Sequence, residues 1–331
     1  MSKCRRNPGP LTLRISVTER CQLRCAYCRP TDGGTGCGRG SCGDELSFGA
    51  IVRLVRVVQS RFGLAGVRLT GGEPLLRPRL AALVEMLAAE GVQDIALTTN
   101  GQLLHEMAPE LARAGLRRVN VSLDSLHPSA FERLTRGGEL HRTLRGIHAA
   151  LDCGLQPVKT NTVLLRGIND GEVLDLVRLG LANNCQVRFL ELMPIGVAQA
   201  HFEQWFVPAS EAFDRIAAEF HVGTGPRACP TQPHGTSRNY AVRDASGRST
   251  IAGFIAPCSQ PFCEGCRRLR LTASGRLLGC LAQRHGHDVR PLLESAECND
   301  DAIAAAISNA LLLKQHERRF QQQDAMAAIG G

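Results

Sequence analysis

The chain has 331 residues, 44% of them hydrophobic and 21% charged, an ordinary balance for a globular protein with room for one large core or two smaller ones. It has no run of eighteen apolar residues, and its basic start, MSKCRRNPGP, lacks an apolar stretch or cleavage pattern behind it. Neither a membrane span nor a secretory leader is therefore expected, and the chain is expected to stay in the cytoplasm.

The net charge of +8 favours an anionic partner. Only 4% of residues are aromatic and there is no long basic run, which disfavours nucleic acid and leaves a small phosphorylated ligand. Fourteen cysteines in a reducing compartment read as thiols or metal ligands rather than disulfides.

In chain order, six short runs have strand character: LTLRISVT (11–18), GVRLT (66–70), DIALTT (94–99), RRVNVSLD (117–124), PVKTNTVLL (157–165) and QVRFLELM (186–193). Segments of helical period lie between them. SFGAIVRLVRVVQSRF (47–62) places Phe48, Ile51, Val52, Val55 and Val58 on one face, RPRLAALVEMLAAEG (77–91) ends on a glycine suited to a C-cap, and GEVLDLVRLGLANN (171–184) repeats the theme. Strand then helix, repeated, predicts a parallel α/β fold. Six units fall short of a closed eight-stranded barrel and suit an open doubly wound sheet or an incomplete barrel. Either architecture collects ligands at the carboxyl ends of its strands, where TGGEP, TTNG and SLDS fall.

After about residue 200 the rhythm changes, which divides the chain into residues 1–200 and 201–331. RNYAVRDASGRSTIAGFIA (238–256) predicts a hairpin turning at Ala-Ser-Gly, and RRLRLTASGRLLGCL (267–281) predicts a second. DAIAAAISNALLLKQHERR (301–319) predicts an amphipathic helix, and the glycine content of 30–45 predicts a mobile loop.

Two cysteine groups stand out. Cys21, Cys25 and Cys28, at CxxxCxxC spacing after the first strand run, offer three thiolates with no fourth ligand close by. A structural zinc site takes four ligands, whereas a four-iron cluster can be held by three thiolates with one iron left open. Cys263, Cys266 and Cys280 again number three, beside Arg268 and Arg270, whose forked guanidiniums match phosphate oxygens. Cys258 would complete a zinc quartet there, so a zinc reading stays open at this point.

The CxxxCxxC loop with Tyr27 before its last cysteine, followed by Gly71-Gly72-Glu73-Pro74, resembles the radical S-adenosylmethionine (SAM) enzymes. Within that superfamily the segments LTGGEPLLR, TTNG, VSLDS, ELMPIG, the FCxxCxRLRLT block and the terminal Gly330-Gly331 resemble the GTP 3′,8-cyclase family of molybdenum-cofactor biosynthesis, from Leu11 to Gly331.

The resemblance implies an incomplete (β/α)6 barrel with a C-terminal extension, two [4Fe–4S] clusters and SAM as cofactors. It also implies conversion of GTP to (8S)-3′,8-cyclo-7,8-dihydroguanosine 5′-triphosphate. Carried onto this sequence, it places the first cluster on Cys21, Cys25 and Cys28 and the second on Cys263, Cys266 and Cys280. SAM falls to Tyr27, Gly72, Ser122 and Met193, and GTP to Arg14, Arg68, Thr99, Lys159, Arg268, Leu269 and Arg270. Catalytic parts fall to Arg268, Arg270 and the flexible Gly330-Gly331 tail.

As partners the resemblance implies an external electron donor of the flavodoxin kind, a cyclic pyranopterin monophosphate synthase as the next enzyme, and a homodimer. No nucleic acid or membrane is expected. Arg29 and Arg267 stand where the family usually has methionine and asparagine, Cys37 and Cys42 read as free thiols rather than ligands, and Cys4, Cys153, Cys185, Cys229 and Cys298 read as structural or incidental. Two other readings are a peptide-modifying radical SAM enzyme and a zinc protein that binds nucleic acid.

Overall fold

The computed structural model describes residues 9–29, 45–224, 236–263, 265–284, 286–295, 297, 299–314, 320, 324 and 326–329. The six expected strands are present as β1 (Leu11–Ser16), β2 (Leu64–Thr70), β3 (Ile95–Thr99), β4 (Arg118–Ser122), β5 (Lys159–Leu164) and β6 (Gln186–Glu191). They pair in that order, all parallel. The chain continues through β7 (His221–Val222), β8 (Arg238–Arg243), β9 (Ser249–Ile255), β10 (Arg268–Leu271), β11 (Arg276–Leu278) and β12 (His287–Asp288).

The two expected hairpins form as β8–β9 and β10–β11. Neither stands apart from the rest. β10 lies parallel against β1, with Arg270 opposite Arg14, and β9 lies parallel against β6. Eight consecutive parallel strands result, in the order β10-β1-β2-β3-β4-β5-β6-β9, with β11 and β12 beyond one edge and β8 and β7 beyond the other.

The sheet is curled. β1 and β6 are five strands apart, which in a flat sheet means about 24 Å. Yet the charge of Arg188 on β6 acts directly on Arg14 of β1. The concave face is therefore the inside of an incomplete barrel, and the convex face carries the helices.

Strand alternation sorts the residues between these faces. Leu13, Ile15, Leu69, Leu97, Val121 and Leu271 are buried in the main core with the helices. Their alternating neighbours, including Arg14, Arg68, Thr98 and Asn120, face inward.

Ser47 caps the first helix, Phe48–Phe62, by accepting the Ala50 N–H at 3.1 Å, and Ile51, Val52, Val55 and Val58 are buried as the periodicity requires. Leu80–Ala89 ends before Gly91, whose φ of 78° only glycine adopts readily. The last long helix is shorter than expected. It spans Asp300–Leu312 and stops there because Leu313 and Lys314 turn toward the second cysteine group. Residues 315–319, which the periodicity had included, lie outside the described residues, as do the loop 30–44 and the tail Gly330-Gly331. Among the described residues no helix is long and apolar enough to cross a membrane.

Candidate active site

Parallel strands place all their carboxyl ends at one mouth of the barrel. Cys21, Cys25 and Cys28 follow β1 at this mouth, Gly72 follows β2, Asn100 follows β3, and Ser122 and Asp124 close β4. Cys263 and Cys266 precede β10, which runs parallel to β1, so the second group lies at the opposite mouth. The sheet rises four residue steps from Thr12, opposite Arg268, to Ser16 before the first group, roughly 13 Å. The two cysteine groups thus stand at the two ends of one lumen.

At the first mouth the cysteine loop is folded by backbone bonds from Cys28 and Arg29 to the Cys25 carbonyl, at 2.9 and 3.0 Å. The GGEP loop is zipped against the segment leading into it: Gly72 N–H donates to Thr18 and Glu73 N–H to Arg20. A Cβ on Gly72 would come within 2.4 Å of the Arg20 carbonyl oxygen, which accounts for the glycine.

Tyr27 is anchored by donating to Asp124 Oδ2 at 2.6 Å, while Val163 N–H donates to Oδ1 of the same carboxylate at 2.9 Å. Burial pushes Asp124 up to about 6 against these two donors. Met193 packs in a small apolar cluster with Ile195, Leu278 and Ile329, which ties the last described turn, Met326–Ile329, across the open side of the barrel. Gly330 and Gly331 follow directly from that anchor.

Glu73 is fully buried and accepts from Leu75 N–H, Thr99 Oγ1 and Asn100 N–H at 3.1, 2.6 and 2.7 Å. Burial outweighs these donors and pushes its carboxyl up to about 7 from 4.5. The folded chain therefore binds more protons than the unfolded chain between those values. This contribution to stability is complete below about pH 4.5 and is lost as pH rises through about 7, roughly 3 kcal/mol in all. Glu73→Gln, which does not titrate, should flatten this part of the stability curve, measured as the difference in Tm between pH 5 and pH 7.5. An unchanged difference would remove Glu73 as its source.

Between the mouths the lumen is lined with cations. Arg14 is flanked in register by Arg270 and Arg68, and Arg188 and Arg268 act on it as well. Burial and then these like charges lower its pKa well below the ordinary arginine value. Arg188 is pushed down to about 9 by burial and by Arg118, Arg268 and Arg68, and Arg270 to about 10 by burial and Arg268. Arg68 also falls to about 10, mainly through burial. Asp94 pairs with two of these cations: Arg68 at 2.5 Å and Arg118 through two bonds of 2.8 and 2.7 Å. The Nε atoms of Arg14 and Arg188 are buried with no hydrogen-bond partner among the described residues. Such a lumen is built for a polyanion.

The residues assigned to GTP are distributed unevenly. Arg14, Arg68, Arg268 and Arg270 converge, with Lys159 buried in β5 beside Asn120. Thr99 lies on the other face of its strand, its hydroxyl given to Glu73, while Thr98 faces inward and accepts from Asn120 Nδ2. Leu269 is in the core, so only its main chain is open to a ligand. Arg188, which donates to Asn120 Oδ1 at 2.6 Å, was missed. Its signal is a repeated triplet of apolar, cationic and, usually, apolar residues: Leu13-Arg14-Ile15, Val67-Arg68-Leu69, Val158-Lys159-Thr160, Val187-Arg188-Phe189 and Leu269-Arg270-Leu271.

Both cysteine groups have the chemistry of a cluster site. None of the six cysteines is joined in a disulfide. Burial raises the Cys25 thiol, and Cys28, Asp124 and Cys21 raise it further, so three clustered thiolates need cationic iron among them. Leu23 N–H and Asn100 Nδ2 donate toward Cys21 Sγ at 3.4 and 3.8 Å. Burial works against the Cys266 thiolate, but Lys314, Arg268, the Arg268 N–H and Arg270 outweigh it and hold the thiol below its usual range.

Among the described residues no three His, Cys, Asp or Glu side chains converge as ligands of one metal ion. Cys258 is buried and gives its thiol to the Leu192 carbonyl at 3.4 Å, so it does not serve as a fourth zinc ligand. Of the two departures from the family pattern, Arg29 is buried and donates to the Glu19 carbonyl at 2.5 Å, while Arg267 lies against Gly9.

Residues 15–180 match the Radical SAM superfamily, and residues 185–320 match Molybdenum Cofactor Synthesis C. A GTP 3′,8-cyclase of Pelotomaculum thermopropionicum is 43% identical over 332 residues, covering 96% of this chain and 97% of that relative. Another, of Geobacter sulfurreducens, is 42% identical over 287 residues, covering 86% and 84%. Among solved structures, Streptococcus suis SuiB bound to S-adenosylmethionine superposes with a TM-score of 0.56 at 14% identity. That match spans 88% of this chain and 65% of SuiB, and it is a likeness of fold alone.

Proposed function

Because the chain belongs to the GTP 3′,8-cyclase family of the radical SAM superfamily, we propose that its cation-lined lumen holds GTP and that the cysteine groups at the two mouths hold its two clusters. The protein is the cyclase of molybdenum-cofactor biosynthesis that converts GTP to (8S)-3′,8-cyclo-7,8-dihydroguanosine 5′-triphosphate, with SAM and [4Fe–4S] clusters as cofactors. The single observation that carries the site assignment is the convergence of Arg14, Arg68, Arg188, Arg268 and Arg270 between the two groups.

Cys21, Cys25 and Cys28 would hold the first cluster and Cys263, Cys266 and Cys280 the second. The first group would hold the cluster that binds SAM, and that pair would supply the radical chemistry needed at the ribose of GTP. The chain's own part is placement. The arginines neutralise the roughly four negative charges of the triphosphate in a site where charge interactions are little screened. Burial and mutual repulsion disfavour their charge until the anion arrives, so they are preorganised for it.

Tyr27, fixed by Asp124, and Gly72, held by its N–H bond to the Thr18 carbonyl, shape the SAM end with Ser122 and Met193. Ile329 packs with Ile195, Leu278 and Met193 beside the SAM end, where apolar side chains help keep water from the reacting groups. An external reductant of the flavodoxin kind supplies the electron, and the product passes to a cyclic pyranopterin monophosphate synthase.

The test is anaerobic incubation of the reduced protein with SAM and GTP, followed by mass spectrometry. 5′-Deoxyadenosine should appear together with a cyclised guanosine triphosphate. Deoxyadenosine without any cyclised nucleotide would contradict the substrate assignment.

A further inference from the structure

Lys314 sits two residues beyond the helix Asp300–Leu312, and its ammonium reaches the second cysteine group. It donates to the Cys266 carbonyl and lies 3.6 Å from Cys266 Sγ. A second strut stands beside it. Gln283 accepts the Cys280 N–H at 3.1 Å through Oε1 and donates to the Leu313 carbonyl through Nε2. The end of one helix thus braces both arms of the group, Cys266 through a cation and Cys280 through an amide.

The close approach is built into the chain. A Cβ on Gly279 would come within 2.1 Å of the Ala310 carbonyl oxygen, so only glycine lets the Cys280 arm lie against this helix. The long, entropically costly side chain of Lys314 is ordered against a sulfur rather than released to solvent.

We propose that Lys314 is a positioning residue for the second cluster, its N–H···S contact and positive charge raising that cluster's reduction potential and holding the Cys266 thiolate in place. Net charge and hydrogen bonds to ligand sulfurs are the protein's means of setting such potentials. The inference rests on the reading of Cys263, Cys266 and Cys280 as cluster ligands.

The experiment compares the anaerobically loaded full chain with Lys314→Met and Lys314→Arg, using iron content, far-ultraviolet circular dichroism and redox titration followed by electron paramagnetic resonance without GTP. In Lys314→Met the second cluster should titrate at a more negative potential while the first keeps its own, and Lys314→Arg should stay near the wild type. Loss of the second cluster from Lys314→Met but not from Lys314→Arg would equally show that the charge holds it. Unchanged potentials in Lys314→Met with both clusters present would overturn the inference alone. Loss of the second cluster from both variants would also overturn it, since the side chain's shape rather than its charge would then matter. A wild-type chain with only about four irons would overturn the cluster reading itself, and the inference with it.

Discussion

Arg14→Met yields a chain that is more stable than the wild type without ligand and binds GTP at least about 30-fold more weakly, a loss of about 2 kcal/mol or more. Both effects follow from the neighbours of Arg14. It is buried, the main charges acting on it are the arginines Arg270, Arg268, Arg188 and Arg68, and its Nε has no hydrogen-bond partner among the described residues. Replacing a buried, uncompensated cation by an apolar side chain of similar length should stabilise the free protein by about 1–3 kcal/mol. The triphosphate, however, loses a central contact between Arg270 and Arg68.

Arg118→Met should behave in the opposite way. Arg118 makes a two-bond pair with Asp94, so its removal should lower the stability of the free protein. Thermal melts of both variants with and without GTP give the comparison. If Arg14→Met melts below the wild type, the repulsive lumen is wrong.

The second large effect lies at the other mouth. Cys25→Ser should drop the iron content from about eight to about four per chain and abolish deoxyadenosine formation. The ligand must be a thiolate, and a serine hydroxyl neither ionises near neutral pH nor matches iron's affinity for sulfur. Because Cys25 lies beyond the ends of the strands that carry the arginines, GTP affinity should persist in this variant. Iron analysis and equilibrium dialysis with GTP measure the two independently. Loss of GTP binding together with the iron would mean that the substrate is not held mainly by the lumen.

The six barrel strands, both cysteine groups and the GGEP loop are local patterns and could be read from the sequence. The two hairpins were legible as hairpins, but their docking was not. β10 joins β1 across more than 250 residues, and no local spacing records that pairing. The docking matters, because it carries Arg268 and Arg270 into the lumen and sets the second cysteine group opposite the first.

Thr99 illustrates a difference of one residue. In a strand, neighbours face opposite sides, so Thr98 looks into the barrel while Thr99 supports Glu73. Asp124 was hidden in SLDS as an ordinary loop acid, and only the fold brings it to the Tyr27 hydroxyl. Lys314 was hidden inside a helix that the periodicity extended too far.

The central claim is that one lumen holds GTP with its ribose facing the SAM end. Incubating the reduced protein with SAM and GTP carrying deuterium at C3′ tests it most directly, with mass spectrometry of the deoxyadenosine formed. The predicted result is deoxyadenosine that carries the deuterium, appearing alongside the cyclised triphosphate. Deoxyadenosine without label, formed at the same rate whether GTP is present or absent, would contradict it.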